Sequence, residues 1–158
     1  MENTERKTIF GGVYLMLRIN KLVLLLVCSN TVMASGDLQR IVDSTANVVD
    51  YCLSLEKMNT LDFPRNEYFE RLPRLDKINV ITYIWKENSA SCEKPAVDKL
   101  LKKLSELPEL TSKPLIEIYS PTDNSEYIKG LNIEEIARIK AAFNQPFDGG
   151  KLIKKLGI

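Results

Sequence analysis

Histidine is absent from all 158 residues. That absence excludes the Ser-His-Asp and Cys-His nucleophile arrangements, the usual catalytic zinc sets and an imidazole pH switch, each of which needs a ring nitrogen titrating near neutrality. Glycine is scarce, at seven residues. The two glycine pairs, Gly11-Gly12 and Gly149-Gly150, lack the spacing and flanks of a phosphate-cradling loop. No Asn-x-Ser/Thr acceptor occurs, so glycosylation gives no clue. Charge of one sign is also missing: 22 Lys and Arg stand against 21 Asp and Glu, a formal +1. Such a balance supplies no field to hold a nucleic acid, and the local group Lys99, Lys102 and Lys103 reads as a solvated helix face flanked by acids.

Long apolar runs are lacking too. The longest unbroken one near the N-terminus is Leu22 to Val27, and a generous count to Ala34 reaches 13 residues across Ser29, Asn30 and Thr31. A permanent membrane span needs roughly 20. The stretch fits a cleaved export signal better: Arg18 and Lys21 form the basic flank, Leu22 to Val27 the apolar segment, and Val32-Met33-Ala34 the small-residue cleavage step. Residues 1–34 are therefore expected to be an N-terminal extension plus signal peptide, with Met16 the better initiator because Glu2 and Glu5 burden the flank before it. The alternative for this stretch is lipidation at Cys28, although Val27 stands where a small residue normally precedes a lipoprotein cysteine.

Cleavage after Ala34 leaves residues 35–158 as one mature domain of 124 residues. Removing Arg6, Lys7, Arg18 and Lys21 leaves 18 basic residues, and removing Glu2 and Glu5 leaves 19 acidic ones, a net of −1. Cys52 and Cys92 remain. An even pair in an exported chain predicts a disulfide. Closing that loop contributes about 3 to 4 kcal/mol on the chain-entropy estimate, a large share of a small domain's stability.

From Asp37 to Met58, Leu38, Ile41, Val42, Thr45, Val48, Val49, Cys52 and Leu55 recur at three- and four-residue spacing, which predicts a helix with Cys52 on its core face. Residues 60–74 carry Pro64 and Pro73 and read as a loop with a short helical turn around Asn66 to Leu72. Leu75 to Lys86 suits a helix by spacing and a strand by its β-branched and aromatic density; helix is preferred. Glu87 to Ser91 reads as a polar loop. Pro95 then suits the first turn of a new helix whose apolar face runs Val97, Leu100, Leu101, Leu104 and Leu107, with a Lys102–Glu106 pair at four-residue spacing on its surface. Lys113 to Ser120 reads as a short extended segment, and with Ser125 to Gly130 it admits a small hairpin. Asn132 to Asn144 is a well-marked helix, with Asn132 as cap and Glu135 at the reciprocal position. The tail 148–158 alternates Lys151, Lys154 and Lys155 with Leu152, Ile153, Leu156 and Ile158. It is expected to pack back onto the domain, with a flexible basic amphipathic membrane segment as the alternative.

The fold class expected is mainly α: a small disulfide-stapled domain of four or five helices, one short β-hairpin being admitted and α+β the alternative. No cofactor, metal site or catalytic set emerges. Asp62, Glu67 and Glu70 formally offer paired carboxylates, and Asp123, Asn124 and Glu126 offer oxygen ligands without the glycine and terminal glutamate of a calcium loop. Phe63, Tyr68, Phe69 and Trp85 are the candidate anchors of a protein interface, or else core. The function expected is non-enzymatic binding of another exported or envelope protein, in the bacterial periplasm or outside the cell, with a homo-oligomer admitted and a membrane tether through Cys28 or the tail as the variant. A small-molecule or lipid carrier and a carboxylate hydrolase are the alternatives.

Overall fold

The three- and four-residue stripe beginning at Leu38 is realised in helix α1, Ser35–Met58. It is the first element of the computed structural model, which describes residues 35–158. The export-signal stretch and Cys28 lie outside the described residues. Five helices follow: α2, Glu67–Arg71; α3, Arg74–Ser105; α4, Glu109–Tyr119; α5, Ile133–Ala142; and α6, Gly149–Leu156; a 3-10 turn covers Ser125–Ile128. No strand occurs among the described residues, so the protein is a small, mainly helical domain and the hairpin is absent. Residues 40–158 form one compact unit, to which the contacts below belong.

Helix α3 is the axis of that unit. Its 32 residues span about 48 Å at 1.5 Å per residue. The expected loop at Glu87 to Ser91 is helical instead, because its polar side chains are taken up by neighbouring segments. Asn88, only 2% exposed, donates Nδ2 to the carbonyls of Phe143 at 2.6 Å and Gln145 at 3.0 Å. Those carbonyls leave the end of α5 without helical partners, which is the vacancy a buried amide fills. Glu87 meets Lys140 at 2.9 Å and Asn124 at 3.2 Å, and Ser89 donates to Glu56 at 2.5 Å. Part of a hydrophilic run, Glu87 to Ser89, has turned inward on a helix while Ala90 and Ser91 stay exposed.

Pro95 consequently sits inside α3 rather than at a helix start. A proline there removes one backbone bond and crowds the carbonyl four residues back. Helix α1 lies against α3 on both sides of it: the disulfide Cys52–Cys92 joins three residues before, and the Thr45 hydroxyl, which donates to the Ile41 carbonyl at 2.8 Å, approaches the Ala96 carbonyl at 3.4 Å just after. The segment Lys113 to Ser120, expected to be extended, belongs to α4. Leucine and isoleucine density outweighs Pro114 once the helix lies on the end of α3, where Leu100 and Leu104 are buried. The surface pair near the end of α3 is Lys103–Glu106 at three-residue spacing, not Lys102–Glu106.

The main core gathers Phe63, Phe69, Val80, Ile81, Ile84, Ile128, Ile136, Ile139, Phe143, Phe147 and Leu152. Four phenylalanines form a connected chain of rings, with centroids 5.1 Å apart for Phe63–Phe69, 5.4 Å for Phe63–Phe143 and 4.8 Å for Phe143–Phe147. Short caps hold the surrounding helices. Asn66 accepts from the Phe69 amide at 2.8 Å, and Asn132 accepts from the amides of Glu134 and Glu135. The reciprocal half of the Asn132 box is replaced: the Asn132 amide donates to the Tyr68 hydroxyl at 2.9 Å, and Glu135 turns to Asn66 and Arg138. In α6, Asp148 accepts from the Lys151 amide at 2.8 Å. Gly149 starts the helix hard against Trp85, where a Cβ would lie 2.6 Å from the indole. Gly157, at φ +70°, ends it in the left-handed conformation, with the amides of Gly157 and Ile158 returning to Lys154 and Ile153. The tail thereby lies on the core through Leu152, Ile153, Leu156 and Ile158.

Candidate functional site

An open groove of about 250 Å³ runs between the exit of α1 and the face of α6. Asn59 builds its outer wall. The Asn59 side chain donates to the Pro146 carbonyl at 2.8 Å and accepts the Leu61 amide at 2.9 Å, so one residue pins the α1 exit to the turn before α6. Phe143, Phe147 and Leu152, all core residues, form the floor. Lys151 and Lys155 stand at the rim. Lys155 Nζ meets Asp62 Oδ1 at 2.9 Å across the edge, and that bond, then the lysine charge, holds the exposed Asp62 carboxyl below its ordinary range. The groove is therefore apolar below, with Lys151, Lys155 and the Asp148 carboxylate around its mouth.

A second polar cluster lies where α1 faces the middle of α3. Burial pushes the Glu56 carboxyl up, against the hydrogen bonds from Ser89 and Trp85 that favour its charge. Glu93 is likewise raised, first by burial and then by the charge of Glu56. Both stand beside the disulfide, Glu56 one turn after Cys52 and Glu93 next to Cys92. Glu87 goes the other way: burial alone would raise it, but Lys140 and Asn124 outweigh burial and lower it. These carboxylates do not line the groove.

Of the sequence candidates, Cys52 and Cys92 are joined as expected. Phe63 and Phe69 are buried in the main core, and Tyr68 and Trp85 are half-buried against it. Phe63 and Phe69 thus take the core alternative, while Tyr68 and Trp85 keep part of their surface exposed. Tyr68 and Trp85 are further occupied by the Asn132 amide and by Glu56. The acids of the aromatic segment do not converge: Asp62 is held by Lys155, Glu67 by Arg71, and Glu70 by Arg65 and Lys77. Asn124 is buried on Glu87, Asp123 accepts the Ser125 amide, and no group of described residues has the makings of a metal site. The groove residues escaped sequence reading. Their one local signal was the tail's alternation of lysines with apolar residues, which gave α6 a basic outer face without saying what lay beside it.

No protein-family model, curated protein or solved structure matches the chain. The disulfide points to an oxidising compartment rather than the cytosol. Among the described residues, no helix is long and apolar enough to cross a membrane.

Proposed function

We propose that the chain is an exported, non-enzymatic domain that binds another exported or envelope protein, in the manner of an inhibitor, an immunity-type antidote or an accessory subunit. Export proceeds through a signal cleaved after Ala34, which delivers the domain to the bacterial periplasm or beyond. The observation that carries this reading is the groove: an apolar floor of Phe143, Phe147 and Leu152 under a rim of Lys151 and Lys155, open to solvent, whose lining acid, Asp148, caps the start of α6. Carriers of small apolar ligands enclose most of the ligand's surface in cavities of roughly 300 to 1,000 Å³. A smaller open groove suits a side chain presented by a protein. Hydrolysis by paired carboxylates draws no support from Asp62 and Glu70, whose charged forms are favoured by cationic neighbours when an acid catalyst needs the reverse.

Affinity capture of the native exported protein under gentle conditions tests the reading. A specific envelope or secreted protein should be retained stoichiometrically, and retention of none sinks it. Intact mass before and after alkylation without reductant should show no labelled Cys52 or Cys92 and an N-terminus at Ser35. A lipid-modified Cys28 would instead place the domain at the membrane.

A further inference from the structure

The end of α1 that leads into the groove wall carries exposed apolar side chains of its own. Tyr51 and Met58, 60% and 64% exposed, stand two turns apart on one line of α1, about 11 Å along its axis. Leu61, 54% exposed, follows at the groove wall. The other strongly exposed apolar side chains, Leu75, Ile118 and Ile133, stand singly on separate helices. Three large exposed apolar groups fall within eleven residues, the last of them on the groove wall, and offer a track of about three helical turns.

Charge decides what fits the track. Residues 35–158 as a whole are nearly neutral, yet α6 turns Lys151, Lys154 and Lys155 outward with Asp148 as the local acid. The Asp148 carboxylate accepts the Lys151 amide at the start of α6. Lys151 and Lys154 have no carboxylate partner among the described residues, and the partner of Lys155 is the almost fully solvated Asp62. An exposed pair of that kind contributes little and exchanges readily for another carboxylate.

Resting on the protein-binding reading, we propose that this track takes an acidic amphipathic segment of the partner protein. An apolar side chain of that segment fills the groove between Leu61 and Phe147, and its carboxylates meet Lys151 and Lys155. Lysines at four-residue spacing face one direction on α6, so acids on one face of the segment reach both.

Site-specific photo-crosslinking in the exported protein tests this, with the crosslinking residue at Leu61 and, as controls, at Ile118 and Ile133. The proposal expects an adduct at position 61 alone, on a segment of another protein rich in Asp or Glu and containing large apolar residues. Lys151→Glu should cut its yield at least tenfold while the melting temperature is unchanged, and Lys151→Met, which keeps the stem and removes the charge, should cut it less. A protein adduct at Ile118 or Ile133 but not Leu61 overturns the track and leaves protein binding standing. Protein adducts at none of the three positions overturn both. An adduct at Leu61 on a lipid, on a basic segment or on a second copy of this chain overturns the acidic-segment proposal.

Discussion

The two ends of α3 are held by different physics. Its first half, with α2, α5 and α6, is closed by eleven buried apolar side chains that include a connected chain of four phenylalanine rings. Its second half, with α1 and α4, buries Leu100, Leu104 and Cys52 alongside the polar Thr45 and Ser112. A small apolar core does not repay the ordering entropy of its helices, and such regions are stabilised by covalent staples. The Cys52–Cys92 bond is placed in that poorer half, beside Pro95. The candidate groove takes its floor from the richer half and its outer wall from the stapled helix.

The sharpest way to break the comparison is Phe69→Ala. It removes a fully buried ring that touches Phe63 and should cost about 3 to 5 kcal/mol in denaturant unfolding, collapsing the groove with the fold. Replacing Cys52 and Cys92 together by serine should cost about 3 to 4 kcal/mol, confined to α1 and the far half of α3. Pro95→Ala restores a backbone bond in the stapled half and should raise stability by about 2 kcal/mol, more in the serine double variant, where nothing else braces the helix as firmly.

A smaller effect separates the halves by pH. Glu56 and Glu93 have raised folded pKa values, so their contribution is intact below the ordinary 4.5 and is lost as pH rises from there through the folded value. Glu87 has a lowered value, so its contribution is present above 4.5 and is lost as pH falls through its folded value. Glu56→Gln keeps an acceptor for Ser89 and should match the native protein near pH 4 while exceeding it at pH 8. Equal slopes of stability against pH would sink this assignment. Smallest of all, Lys94→Ala on the exposed Lys94–Asp98 pair should change stability by less than about 0.5 kcal/mol.

Which parts were legible in sequence follows the same division of forces. Helix α1 showed itself by its stripe, including Thr45 and Cys52 on the inner face, and α5 by Asn132 and its apolar spacing; both are local signals. The disulfide followed from two cysteines and an export-like N-terminus. Glu87 to Ser91 reads as a loop in sequence because Asn88, Ser89 and Glu87 find side-chain-burying partners at residues 33 to 57 positions away. Lys113 to Ser120 was read as extended because its isoleucines suit either structure and the deciding contact, with the end of α3, is tertiary. The aromatics of residues 63–69 read equally as interface or core in sequence, and Phe63 and Phe69 are core because their ring partner Phe143 lies far along the chain. The groove could not be seen, since its walls come from residues 59–61 and 143–155 and only Asn59 and the fold bring them together.

The central claim is that the groove's floor stands on a core independent of the disulfide while its outer wall hangs on the stapled helix. Amide hydrogen exchange followed residue by residue, with and without reduction of Cys52–Cys92, tests it most directly. Reduction should strip protection from Thr45 to Met58 and from Cys92 to Leu104, leaving Val80 to Ile84, Ile136 to Ile139 and Leu152 protected. Protection lost uniformly across both halves, or retained throughout α1, would contradict it.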